Sequence, residues 1–188
     1  MKPPEKLRED EKLRPLIEEH GELELEASEN PFERMVTSIV NQQLSTQSAE
    51  AIRSRLFDNF EISPEALLDA DKEELADVGL SRQKIDYIRS AARHFIEDDL
   101  SVEKFSNMSD EEVIDELTDI HGVGDWTAKM FMISVLARED VFPVEDLGIR
   151  RAMEEVYGLE SRGEMREKAE DWRPYRGLAS RYLWRAVD

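Results

Sequence analysis

Cysteine is absent from the 188 residues, which removes disulfides, thiolate zinc sites and cysteine-ligated iron–sulfur clusters at once. Long apolar runs are missing too. The longest, MFMISVLA from Met130 to Ala137, is interrupted by Ser134 and falls far short of the roughly 20 residues a membrane-spanning helix needs. The opening MKPPEKLRED carries no apolar signal-peptide core, so a soluble, cytoplasmic chain without membrane contact is expected. No segment alternates apolar and polar β-branched residues as a half-buried strand would. Positive charge is scarce: Lys and Arg total 25 against 44 Asp and Glu, a formal net charge of -19.

That balance argues against a polyanionic partner held by bulk charge. The competing reading is an adaptation to high internal salt, where the screening length shrinks to about 3 Å near 1 M and local contacts decide binding. The distribution favours the second. Residues 1–30 carry ten acids and five bases, 31–145 carry 25 and 11, and 146–188 carry nine of each, so no detached acidic tail exists.

Helix start signals recur along the chain instead. Asn30-Pro31 sets a capping side chain before a proline at the first helical position, and Phe32, Met35, Val36, Ile39 and Val40 follow at helical spacing. Ser45, Ser63-Pro64, Asp71 and Ser81 read as further caps, and Ser109 with Glu112 as a capping box. An all-α fold of short helices is expected, in one domain of ordinary size. The one long irregular piece is REDVFPVED, Arg138 to Asp146, where Pro143 blocks a helix. Arg82, Lys84, Arg89 and Arg93 make one locally basic helix against Asp86, and a solvated helix face is expected for most of them. His20, His94 and His121 lack triad or metal spacing.

In IHGVGDWTAKMF, Ile120 to Phe131, Gly122 and Gly124 interrupt a helical apolar pattern carried by Leu117, Ile120, Val123, Ala128, Phe131 and Met132. This is a helix-hairpin-helix pattern. Its glycines permit positive φ and close backbone approach, and the second helix opens with unpaired N–H groups and a positive dipole end, a combination suited to a phosphate. A turn without any ligand explains the same glycines equally well. Asp125, at the start of that helix, suits the dipole but opposes a phosphate, and a helix-capping role is expected of it.

The ordered set FERMVTSIVNQQLSTQSA, VGLSRQKIDYIRSAA, LTDIHGVGDWTAKM, DVFPVEDLG and WRPYRGLASRYLW resembles the helix-hairpin-helix DNA glycosylase superfamily, in its alkylpurine (3-methyladenine DNA glycosylase II) branch. The resemblance implies an all-helical, two-lobed fold with a groove between the lobes, across one glycosylase domain spanning residues 1–188. Its central lobe would cover about 30–125 with the hairpin at its end, and the N-terminal segment and 126–188 would form the other lobe. It implies a monofunctional enzyme of base-excision repair whose partner is double-stranded DNA containing damaged bases, acting as a monomer.

By the same resemblance Asp146 is the catalytic carboxylate, although an N-cap role for the following helix, Leu147 to Tyr157, accounts for it equally. Glu145 is expected at the surface. Trp126 stands where strand-cleaving relatives carry a Schiff-base lysine, with Lys129 about one turn further on, so no lyase activity is implied. With Met130 and Trp184, Trp126 would line the base pocket, where indoles attract a cationic purine; ordinary core packing is the alternative for Trp126. Gln43 and Leu44 would enter the duplex, against the simpler reading of a helix end followed by the Ser45 cap. Gly122, Val123, Gly124 and Thr127 would contact DNA. The carbonyls of Thr118, Ile120 and Val123 would hold a monovalent cation, potassium or sodium, with no other cofactor required. The alternative from a different class is a non-catalytic helix-hairpin-helix DNA-binding module, and a third is an acidic helical adaptor that binds no DNA.

The charge reading yields a first test. Thermal melting followed from about 0.1 M to about 3 M potassium chloride is expected to show rising stability as carboxylate repulsion is screened, and a maximum in dilute buffer would rule out the halophilic interpretation.

Overall fold

The computed structural model describes residues 5–187, and within them every regular element is an α-helix. Cα packing divides the chain into two units, 28–131 and 1–27 with 132–188.

The unit 28–131 opens with α3 (Pro31–Asn41), which follows two helices of the other unit, α1 (Glu5–Glu9) and α2 (Leu13–His20). The Asn30 side chain accepts from the Glu33 N–H, and the expected stripe of Phe32, Met35, Val36, Ile39 and Val40 is buried. After α4 (Thr46–Asn59), α5 (Pro64–Asp69) and α6 (Lys72–Asp77) comes the long α7 (Arg82–Glu97), whose Ile85, Ile88, Ala91, Ala92 and Phe95 are buried. α8 (Val102–Ser106), α9 (Asp110–Thr118) and α10 (Asp125–Ser134) complete it, the unit boundary falling inside α10 after Phe131. Edge-to-face rings join these helices: Phe32 to Phe95 at 5.3 Å, Phe95 to Phe131 at 6.5 Å and Phe105 to Phe131 at 5.5 Å. Such pairs add about 1 kcal/mol each beyond the area they bury.

The capping side chains of Ser45, Ser63, Asp71, Ser81 and Ser109 all accept backbone N–H groups as expected. Two of the four basic residues of α7 are not simply solvated. Lys84 Nζ donates to the Val40 carbonyl at 2.6 Å and Arg89 Nη1 to the Ala70 carbonyl at 3.1 Å. Both acceptors lie at helix ends, where carbonyls lack i+4 partners and carry the negative end of the dipole. Burial holds the Lys84 ammonium below the usual lysine range. Arg82 and Arg93 are exposed.

The other unit joins α1 and α2 to α11 (Leu147–Tyr157), α12 (Arg162–Glu170) and α13 (Arg176–Arg185). Its core gathers Leu7, Leu13 and Ile17 with Ile149, Met153, Trp172, Tyr182 and Leu183. Two polar ties hold the N-terminal segment onto that core. The Tyr182 hydroxyl donates to the Gly21 carbonyl at 3.0 Å and accepts the Leu23 N–H at 3.1 Å. Asp10, its side chain only 7% exposed, accepts from Tyr157 Oη at 2.8 Å, Trp172 Nε1 at 2.9 Å and Lys168 Nζ at 2.9 Å, and from the backbone of Lys12 and Leu13. Burial alone would raise the Asp10 carboxyl, but the donors from Trp172, Lys168, Tyr157 and Leu13 outweigh it and hold the group at about 2.

A depressed folded-state value means that Asp10 contributes stability above its ordinary value of 3.8 and loses it as the pH falls through about 2. The stability gap between the parent and Asp10→Asn is therefore expected to shrink by about 1 kcal/mol between about pH 6 and about pH 3, measured by urea denaturation at each pH.

Candidate functional site

Asp146 reaches its position through a loop that is irregular in backbone but not loose. Val141, Phe142, Pro143 and Val144 are buried, and the Phe142 ring meets Trp172 edge-on at 5.9 Å. At the loop's start, Asp140 accepts from Arg176 Nε at 2.7 Å and Arg173 Nη1 at 3.0 Å, while the Gly177 N–H donates to the Glu139 carbonyl at 2.7 Å. At its end the Asp146 N–H donates to the Pro143 carbonyl at 2.9 Å, closing a tight turn that delivers the carboxylate to the N-terminus of α11. The apolar VFPV that blocks a helix thus plugs the unit's core.

Asp146 Oδ1 accepts two hydrogen bonds, from the Ile149 N–H and from Trp184 Nε1, each at 2.9 Å. The first is the N-cap expected of it. The second joins two residues 38 apart that the family resemblance had named separately. Gly148 stands beside them: a Cβ there would lie 3.1 Å from both Asp146 Oδ1 and Trp184 Cδ1. The residue was missed in the sequence, and its signal was a glycine inside the first turn of a helix that otherwise has no use for one. Glu145, expected at the surface, is partly exposed there. Its side chain is 19% exposed and pairs with Arg166 at 3.5 Å, because α12 brings that guanidinium alongside. Leu147 is half exposed, at 51%.

The hairpin lies in the unit 28–131, between α9 and α10. Val123 N–H donates to the Ile120 carbonyl at 3.0 Å, so it points into the turn rather than outward. Gly122 has φ +93, and a Cβ on it would enter the Tyr87 ring, so both conformation and space require glycine. Tyr87, from α7, also meets His121 edge-on at 5.0 Å and accepts from Gln83 Nε2 at 2.6 Å. The Gly124 carbonyl accepts the Ala128 N–H at 3.0 Å, which makes Gly124 the cap. Asp125 is then the first helical residue, a correction to the capping role expected of it. Thr127 is buried at 2% exposure. Trp126, Lys129 and Met130 are partly buried on α10. Thr118 directs its hydroxyl to the Ile114 carbonyl at 2.8 Å.

The turn between α3 and α4 carries Gln43 and Leu44. Both are exposed, Leu44 at 38%, and Gln43 adopts φ 55, a left-handed conformation uncommon outside glycine. Gln42, which the sequence did not single out, donates from Nε2 to the Gly122 carbonyl at 3.0 Å and to Thr127 Oγ1 at 3.2 Å. No short-range pattern marks a bond across 80 residues.

The family model described as HhH-GPD superfamily base excision DNA repair protein matches residues 36–174. The chain belongs to that superfamily. Within the HhH-GPD proteins it falls in the 3-methyladenine DNA glycosylase branch, with the all-helical fold of that group and, lacking cysteine, no iron–sulfur cluster. A DNA-3-methyladenine glycosylase of Saccharomyces cerevisiae is 42% identical over 134 residues, covering 65% of this chain and 45% of its own length. The crystal structure of a DNA-3-methyladenine glycosidase from Bacillus halodurans superposes with a TM-score of 0.82 at 36% identity, covering 98% of this chain and 89% of that one. A 3-methyladenine DNA glycosylase of Schizosaccharomyces pombe, solved in complex with abasic DNA, gives 0.82 at 30% identity, covering 93% and 90%. The HhH-GPD chain spans 66% of the length of a Bacillus subtilis relative and less than half of the Saccharomyces protein. Among the described residues no helix is long and apolar enough to cross a membrane.

The double acceptor at Asp146 separates its capping role from any chemistry. Asp146→Asn keeps an oxygen for both donors and is expected to unfold within about 0.5 kcal/mol of the parent, whereas Asp146→Ala removes the cap at a cost of about 1–2 kcal/mol; urea denaturation at neutral pH distinguishes the two.

Proposed function

We propose that the chain is a monofunctional DNA glycosylase of base-excision repair that removes alkylated purines of the 3-methyladenine type from duplex DNA. The observation that carries this reading is the Asp146 carboxylate, fixed by the Ile149 N–H and the Trp184 indole at 2.9 Å each, in a chain of the 3-methyladenine glycosylase branch.

The chemistry follows from what such a carboxylate can do. A purine alkylated on a ring nitrogen is cationic, so when the C1′–N bond breaks its electron pair neutralises the departing base, and no strong acid is required. Positive charge then builds on the sugar as an oxocarbenium ion. A carboxylate held in place beside it stabilises that charge and orients the water that adds to C1′. Because two donors already hold Oδ1, little reorganisation accompanies the reaction.

Trp126 and Met130 on α10, and Trp184 beside Asp146, are assigned to base recognition, indole faces attracting a cationic purine. Trp126 occupies the place of the lyase lysine, so strand cleavage is not part of the activity. Gln43 and Leu44, exposed on a tight turn, are the residues that enter the duplex. Gly122 and Gly124 belong to the phosphate grip, with Thr127 contributing backbone only, its hydroxyl being buried against Gln42, and Val123 contributing its carbonyl rather than its inward-bonded N–H. The carbonyls of Thr118, Ile120 and Val123 are neutral oxygens suited to a monovalent cation, and Ile120 retains a lone pair beyond the one used by Val123. The enzyme acts as a monomer in the cytoplasm.

Incubation with methylated duplex DNA is expected to release free 3-methyladenine without nicking the strand. Asp146→Asn is expected to lower release by at least about a hundredfold while duplex binding persists; release unchanged in that variant removes the mechanism, and binding without release in the parent returns the protein to a DNA-binding module.

A further inference from the structure

Gln42 stands between two features that any duplex-binding role would need to keep in register. It is the C-cap of α3, its N–H donating to the Ile39 carbonyl. The next two residues, Gln43 and Leu44, form the exposed tip of the α3–α4 turn. That turn is anchored at its base by Lys84 Nζ on the Val40 carbonyl and at its far end by the Ser45 cap of α4. Neither of those bonds is made to the hairpin. The Gln42 amide reaches it, bonding the Gly122 carbonyl and Thr127 Oγ1 at 3.0 and 3.2 Å. Since a carbonyl only accepts, the contact with Gly122 fixes which end of the amide faces the hairpin.

We propose that Gln42 is a positioning residue that locks the Gln43–Leu44 tip to the Gly122–Thr127 hairpin, so that gripping a phosphate and probing the base stack occur at one fixed separation. The proposal rests on the duplex-binding reading above. It goes beyond it in assigning lesion discrimination to a residue that touches neither phosphate nor base. Two bonds from one amide nitrogen, one to each side of the Val123–Trp126 stretch, restrain both position and rotation. Small errors in such a separation are costly, because insertion is productive only where a base has left its stack.

Gln42→Met preserves length and removes the donor. Gln42→Glu preserves shape and sets a carboxylate against the Gly122 carbonyl, so it should be the more damaging of the two. With Gln42→Met, affinity for undamaged duplex is expected to stay within about twofold of the parent. Affinity for a duplex carrying an abasic analogue should fall about tenfold, the scale of one to two net hydrogen bonds. The fluorescence of a 2-aminopurine placed beside the analogue, which reports unstacking, should fall with it. Thr127→Val, which keeps the Gly122 bond, should lose part of the same ratio, and the double variant should lose no more than Gln42→Met alone. Equal losses on both duplexes, no loss on either, or additive losses in the double variant overturn the clamp. If Gln42→Met melts far below the parent, the ratio in Thr127→Val decides, and an unchanged ratio there overturns it. If the parent binds neither duplex, the duplex-binding reading falls first and the clamp with it.

Discussion

One carboxylate oxygen organises the candidate active site. Asp146 Oδ1 takes the Ile149 N–H and the Trp184 Nε1–H together, so the start of α11 and the last helix meet at a single acceptor. Each donor alone is worth about 1 kcal/mol, somewhat more to a charged partner. The larger effect is geometric, because a cap fixes the backbone approach to the helix and the indole fixes the carboxylate's rotation about its own axis. Much of the surrounding sequence serves this arrangement. Phe142 and Val144 bury the loop that arrives there, Asp140 ties the loop's beginning to Arg173 and Arg176, and Gly148 leaves room for the indole. Capping and catalysis are rival explanations of an aspartate in a helix-start position. Here one oxygen does the capping, and the demands of the two roles point the same way: both need an oxygen that does not move, and only the proposed chemistry needs its charge.

The unit 28–131 solves a different problem with little charge. Its hairpin depends on Gly122, which is hemmed in by Tyr87, and on Gly124 as the cap of α10. Neither offers a side chain. On α7, Lys84 is taken by one helix-end carbonyl and Arg89 by another. Asp125, at the first helical position after the turn, lowers the potential toward an anion there.

Which parts were legible in the sequence follows from range. Caps such as Asn30, Ser109 and Asp146 act within three residues, and their signals were readable directly. So was the burial of α3, since a helical stripe is a local pattern. Side chains that reach across the fold were opaque. Lys84 lies 44 residues from its acceptor, Gln42 80 from Gly122, and Asp10 147 and 162 from Tyr157 and Trp172. In a chain this rich in charge, a lysine or aspartate on a helix reads as solvated by default, and only packing reveals the few that are not. Family resemblance reached further than physics at Trp184, yet it gave a position without a partner. The indole's bond to Asp146 had to come from the fold.

On the proposed reading, a grip of this dipolar kind reconciles the acidity of the chain with a role on DNA. Cationic contacts weaken steeply with salt because each neutralised phosphate releases a counterion, whereas a neutral N–H displaces little of that atmosphere. A protein that gripped duplexes with lysines would lose them in concentrated salt, and one with a net charge of -19 would be repelled from them in dilute salt. Backbone donors avoid the first failure, and screening removes the second. High salt then costs such a protein little affinity while relieving the repulsion among its own carboxylates, which makes the scarcity of lysine and the reliance on glycine at the hairpin two sides of one constraint.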